Sequence, residues 1–310
     1  MGIFFIYHPM LEKPLLVIIE GPTGVGKTDV GIELAQWFKS EIISADSRQF
    51  YKELHIGTAK QTPSQLAAVP HHFVNTISVF DYYNAWMFDE QVQLFLHDYF
   101  KRNPICLMVG GSGMYIDAVC NGIDPIPDID SEIRREVTEQ FNRNGIKPLQ
   151  EELRNIDFEY YSQVDLHNSA RLIRAIEVFK QTGKTFSSFR SKDKKKRDYT
   201  IVKIALERPK NELYDRINRR THLMIQEGLE GEAMQWNDFR HLNALQTVGY
   251  KEFFNYFDGS FDLATTISKI QQNTRHYAKK QATWFRKDIE TQWIFAEDID
   301  LMIQNITRYL

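Results

Sequence analysis

The chain has 310 residues, of which 25% are charged and 43% hydrophobic, with a formal net charge of −3. This is the composition of an ordinary folded protein: one large domain, or a core domain with an insert. It excludes a disordered chain or one that coats nucleic acid by bulk charge, so any polyanion footprint must be local. Two cysteines, Cys106 and Cys120, are too few for a four-ligand zinc site and read as unpaired structural thiols in a reducing compartment.

The opening segment, MGIFFIYHPMLEKP, has an apolar run but neither a basic leader nor a small-residue cleavage site, and Ile6 breaks the myristoylation pattern. No apolar run reaches the length of a bilayer span. The expectation is a soluble, cytoplasmic protein. LLVIIE (15–20) is a continuous apolar run, the mark of a parallel strand buried on both faces. A glycine loop follows, then a helix with Val30, Leu34, Trp37 and Phe38 on one face. EIISAD (41–46) reads as a second strand with Asp46 at its C-terminal end. A helical pattern through Val92, Phe95, Leu96 and Tyr99 precedes a third strand, ICLMV, which runs into Gly110, Gly111, Ser112 and Gly113.

From residue 123 the texture changes. A Pro- and Asp-rich linker gives way to helical patterns only. Ile133, Val137 and Phe141 share a face until Asn144-Gly145 ends that helix. Asn168 is placed to cap the next, which carries Leu172, Ile176 and Phe179 and ends at Thr182-Gly183. TIVKIALE (200–207) restores strand character. The pattern predicts an α/β protein with a P-loop (NTPase-like) parallel-sheet core, residues 1–122 and 199–310, and a helical insert at 123–198.

The chemistry begins at Gly21-Pro22-Thr23-Gly24-Val25-Gly26-Lys27-Thr28. A strand, Gly-x4-Gly-Lys-Thr and a helix surround one anion with backbone N–H groups and a helix N-terminus. Lys27 adds a point charge, and the Thr28 hydroxyl suits a Mg2+ ion that bridges phosphate oxygens. This is a phosphate or diphosphate site. An ordinary P-loop NTPase holds its metal with an acid after a second strand, whereas ICLMV ends in glycines. The acid available is Asp46, which is a metal ligand, a general base, or simply the cap of the next turn. In NELYDRINRRTHLMIQEG, Leu213, Ile217 and Met224 define a helical stripe that Arg220 completes. A guanidinium there calls for a bound anion, a structural carboxylate, or a route out to water.

Two basic features remain. The last long helical segment carries Lys269, Arg275, Lys279, Lys280, Arg286 and Lys287 with no acid between them, and Ile267, Ile270, Tyr277 and Trp284 as its apolar face. KDKKKR (192–197) and the pair Arg171 and Arg174 add to it. Such segregation suits a polyanion surface, or else a solvated face. His71 and His72, with no matching acid cluster, read as structural. Tyr82, Tyr83 and Trp86 either pack the core or line a pocket.

Taken together, GPTGVGKT, SADSRQFYKELHIGTAK, VPHHF, GGSGMY, NSARLIRAIEVFKQTGK, LYDRINRR, TVGYKE and TRHYAKKQATWFRKD resemble the bacterial type of the tRNA dimethylallyltransferase (isopentenyltransferase) family over nearly the whole chain. The resemblance implies transfer of a dimethylallyl group from dimethylallyl diphosphate to N6 of adenosine 37, beside the anticodon of tRNA. The loop 21–28 then holds a prenyl diphosphate, with Lys27 and Arg220 neutralising it, Thr28 on its Mg2+, Asp46 accepting the N6 proton and Thr23 hydrogen-bonding nearby. It further implies tRNA contacts at Asp46, Ser47, Arg48, Gln49, Ser112, Arg134, Ala170, Arg171, Leu172, Ile173, Arg174, Arg275, Lys279 and Arg286. Ser112 stands where threonine is commoner, Ala170 lacks the usual side-chain amide, and Lys280 replaces a frequent arginine. A monomer is expected. The rival readings are a prenyltransferase acting on free adenine nucleotide, an ATP-dependent P-loop kinase, and a non-catalytic RNA-binding protein with a relic loop.

Overall fold

The computed structural model describes residues 13–190 and 195–310. The opening segment and residues 192–194 of the basic run lie outside them. The elements, in chain order, are β1 (Leu15–Glu20), α1 (Lys27–Phe38), β2 (Ile42–Ala45), α2 (Pro63–Ala68), β3 (His71–His72), α3 (Ala85–Tyr99), β4 (Ile105–Gly110) and α4 (Gly113–Asn121). Next come α5 (Ser131–Asn144), α6 (Lys147–Ile156), α7 (Phe158–Tyr161) and α8 (Ser169–Thr182). The chain closes with β5 (Thr200–Glu207), α9 (Lys210–Gln226), α10 (Leu229–Gln235), α11 (Tyr250–Phe257), α12 (Leu263–Phe285), β6 (Gln292–Phe295) and α13 (Ile299–Thr307). Among the described residues no helix is long and apolar enough to cross a membrane.

Two compact units divide the chain: one joins the residues up to Cys120 with Arg197–Leu310, the other is Asn121–Lys196. The first unit holds a six-stranded sheet of order β3-β2-β4-β1-β5-β6, in which all pairings are parallel. Every residue of β1 is buried, as its unbroken apolar run requires. β4 lies between β1 and β2, so the strand order switches direction beside β1. A crevice opens past the strand ends at such a switch, and ligands bind there. α1 buries Val30, Gly31, Leu34, Ala35 and Phe38. Trp37, predicted on that face, is 56% exposed, because its position falls beyond the edge of the buried stripe. Cys106 and Cys120 are free and buried, and burial pushes the Cys120 thiol up to about 12, so both are inert.

His71 Nδ1 meets the Val69 carbonyl at 2.7 Å and His72 Nε2 meets Glu41 at 2.6 Å, which ties both rings to the frame. Tyr83 is buried and edge-on to Phe50, whereas Tyr82 faces solvent. Arg197, the last residue of the basic run, is no polyanion ligand. It donates to the buried Asp89 carboxylate at 2.7 Å and to the carbonyls of Ala118 and Val119.

The second unit has its own core: Val137, Leu149, Leu153, Leu172 and Ile176, with Ile133, Phe141 and Phe186 packed against it. Gly145 ends α5 at φ 74, and Asn168 caps α8 by accepting the Arg171 N–H.

Candidate active site

The P-loop bends from β1 into α1 with Gly21, Gly24 and Gly26 at positive φ, where L-side chains are strained. Charged side chains brace it from α9 and from the turn that precedes it. Arg216 Nε donates to the Gly24 carbonyl at 2.8 Å, and Arg208 Nε to the Val25 carbonyl at 2.7 Å. Lys27 turns back on its own loop, donating to the carbonyls of Gly21 and Pro22 at 2.9 Å each. Burial lowers its pKa to about 8; Asp46 opposes that shift and Arg220 adds to it. Behind the loop, buried Glu20 accepts the Thr291 hydroxyl, and burial pushes it up to about 7, with Lys203 partly offsetting.

Arg220 does not fill the fourth place on the core stripe of α9. Leu213, Ile217 and Thr221 form the buried line, one residue round from it. The guanidinium leans into the loop instead, where Nη2 donates to Thr23 Oγ1 at 2.6 Å. Burial pulls its pKa down from the usual arginine value, and the Asp46 carboxylate offsets this. Asp46 follows the last residue of β2 and accepts the Arg48 N–H at 3.0 Å. It therefore caps its turn and still reaches the cleft.

The glycine that ends β4 has a physical reason. A Cβ on Gly110 would come within 2.2 Å of the Ala45 carbonyl oxygen, so no acid can stand there. One turn on, Ser112 Oγ accepts the Ser47 N–H at 2.9 Å and hydrogen-bonds Ser47 Oγ at 3.1 Å. Arg48 donates to the Asn243 carbonyl. Gln49 is buried, its amide donating to the carbonyls of Thr58 and Ala59 and its Oε1 accepting from Ser44 and Gln61. Its side chain is thus spent on the frame.

A cleft of about 1040 Å³ brings together Thr23, Gly24, Gly26, Lys27, Thr28, Asp46, Ser47, Arg48, Gln49 and Arg220, along with Arg216, Met224, Val248, Tyr277 and Lys280. Ser112, Lys279 and Arg286 do not line it, and neither does Arg275. On α12 the buried stripe is Thr266, Ile270, Ala278, Gln281 and Phe285. Tyr277 and Trp284, expected there, are 44% and 36% exposed; Tyr277 faces the cleft, and the Trp284 indole donates to Asp117 at 2.9 Å. Arg275 is turned towards α9, with Nη1 donating to Asn218 at 2.6 Å and the guanidinium over the Tyr214 ring. Arg286 stacks on Trp293 at 4.7 Å. Lys279 and Lys280 stand exposed.

In the second unit, Arg134 and Arg174 both pair with buried Glu177, at 3.6 and 3.7 Å. Arg174 also donates to the Pro127 carbonyl. Arg171 and Ala170 are exposed and Ile173 is half-buried. Leu172 is fully buried in that unit's core, so its side chain offers nothing to a nucleic acid. The residues missed in the sequence are Arg208, Arg216 and Gln281. Gln281 carried a signal: it is a polar side chain on a helix's buried stripe.

Against known proteins, the model of a family described as IPP transferase matches residues 49–288. The chain belongs to this family. It is 47% identical to the tRNA dimethylallyltransferase 1 of Bacteroides thetaiotaomicron over 95% of the chain and 97% of that protein. It is 49% identical to the tRNA dimethylallyltransferase 1 of Bacteroides fragilis over 93% and 95%. Among solved structures, the tRNA isopentenylpyrophosphate transferase of Bacillus halodurans aligns with TM-score 0.69 and 32% identity, covering 96% of this chain and 98% of that one. Fold and family therefore agree: this IPP transferase has a P-loop α/β core, and its chemistry is prenyl transfer.

Proposed function

We propose that this chain transfers the dimethylallyl group of dimethylallyl diphosphate to N6 of adenosine 37 in tRNA, beside the anticodon, and releases diphosphate. One observation carries the reading. A P-loop with two cations, Lys27 and Arg220, shares its cleft with the carboxylate of Asp46, while the strand end where an NTPase keeps its acid has no room for a side chain. The relatives' names, which specify tRNA, support the acceptor.

Adenine N6 is a poor nucleophile, so the rate must come from easing rupture of the allylic C–O bond. Its electron pair leaves with the diphosphate, whose growing charge the loop N–H groups, Lys27 and Arg220 stabilise. Lys27 exchanges its two loop carbonyls for diphosphate oxygens. The N6 lone pair closes on the allylic carbon, and Asp46 takes the N6 proton, which becomes acidic as that bond forms. Met224, Val248 and Tyr277 line the cleft with apolar surface that keeps water from the allyl cation.

Magnesium fits as the companion of the diphosphate. Among the described residues no group of three or more His, Cys, Asp or Glu forms a cage. The cleft offers hard oxygens instead, the Thr28 hydroxyl first, and Mg2+ is commonly held by one or two protein oxygens plus phosphates. Bound there, it would neutralise charge on the departing diphosphate.

The test is a transfer assay with labelled dimethylallyl diphosphate and Mg2+. Unmodified anticodon stem-loop RNA and AMP are offered in parallel, with ATP alone as a third arm. Label entering RNA alone supports the reading. Label entering AMP moves the acceptor to a free nucleotide, and consumption of ATP makes the loop an NTP site.

A further inference from the structure

A primary amide on the buried stripe of a helix is costly unless its donor and its acceptor are both used. Gln281 on α12 uses both. Its Oε1 accepts the Thr23 N–H at 2.8 Å, and its Nε2 donates to the Gly111 carbonyl at 2.8 Å. A Cβ on Gly111 would meet Nε2 at 2.4 Å, so this approach requires the bare glycine. The two partners belong to opposite sides of the site. Thr23 lies in the diphosphate loop and accepts Arg220 through its hydroxyl. Gly111 opens the turn whose Ser112 holds Ser47, the residue next to Asp46. The bridge comes from the helix whose adjacent residues, Lys279 and Lys280, face solvent as cations.

We propose that Gln281 is a positioning residue. It sets the spacing between the diphosphate loop and the Asp46 turn, and through it RNA bound against α12 tightens the grip of the loop on the donor. This rests on the transferase reading above. Neither Gln281 contact reaches the donor itself, so the residue acts through Thr23 and Gly111.

The experiment uses the full chain with Mg2+, a dimethylallyl thiolodiphosphate as non-transferable donor, and an anticodon stem-loop RNA. Affinity for the analogue is measured with and without RNA, for the wild type, Gln281→Leu and Gln281→Glu. In the wild type RNA should tighten the analogue about tenfold, within the roughly 5–150-fold usual for coupled sites. Gln281→Leu should bring that factor close to one and lower kcat about tenfold or more, with the KM for RNA unchanged, a split that general loosening of the fold does not produce. Gln281→Glu keeps an acceptor for Thr23 and loses the donor to Gly111. It should retain part of the coupling, and it serves as the probe if the leucine variant does not fold. Wild-type coupling in a folded variant, or no coupling in the wild type, overturns the proposal. Failure of the wild type to label RNA defeats the transferase reading and this proposal with it; unchanged coupling in a variant of an active enzyme defeats the role of Gln281 alone.

Discussion

The carboxylate of Asp46 shares a cleft with Lys27 and Arg220 and also anchors its own turn by accepting the Arg48 N–H. That double duty decides which substitution is informative. Asp46→Asn keeps an acceptor for Arg48 and removes only the charge and basicity. We expect kcat to fall by about 10²–10⁴ with RNA affinity nearly unchanged, measured by single-turnover transfer alongside RNA binding. Loss of binding in equal measure would remove Asp46 from the role of base. Lys27 gives a prediction with a definite sign. In the ligand-free protein its pKa lies near 8, and a bound diphosphate favours the charged form. Above pH 8 donor binding must therefore take up a proton, and affinity should fall as pH climbs towards 10.5, the ordinary lysine value. Calorimetry in buffers of different ionisation enthalpy reads that uptake directly; a pH-independent affinity across this window would dismiss the assignment.

At the scale of elements, the basic residues of α12 differ in what they touch. Arg275 is committed to α9 and Arg286 to Trp293, which leaves Lys279 as the predicted RNA cation with no such packing role. Lys279→Ala should weaken RNA binding and reduce the salt slope by about one, whereas Arg275→Ala should act mainly through the α9–α12 contact. An unchanged slope for Lys279→Ala would make it a merely solvated charge. The strands β1 and β4 were legible because buried parallel strands are unbroken apolar runs, and the ends of α5 and α8 because glycine and asparagine announce them. Aromatic residues at helical spacing were not legible in the same way. Trp37, Tyr277 and Trp284 keep the period of a core face, yet large rings cover a cleft or a neighbouring loop as readily as a core. The two-residue β3 and the four-residue β6 are too short to show a period at all. In the site, the phosphate loop and Asp46 could be read directly, because their chemistry depends on residue type at fixed local spacing. Gln281 and Arg216 act across 258 and 192 residues of chain, and only the fold brings them to the loop.

For the whole molecule, Arg197 marks where the chain re-enters the core unit, and it does so with a buried charge pair. Arg197→Met leaves Asp89, which is fully buried, without its cation. Removing one partner of such a pair typically costs about 3–5 kcal/mol, so denaturant unfolding of the variant should show a loss of that order. A loss below about 1 kcal/mol would place the pair in the class of surface contacts. The tight seam between β2 and β4 has a consequence of another kind. With the Ala45 carbonyl 2.2 Å from any Cβ at position 110, a designer or a mutating lineage has no single step that installs an acid at the end of β4. An acid at position 110 would require the seam between β2 and β4 to part. The room for altered specificity lies instead in the side chains that line the cleft.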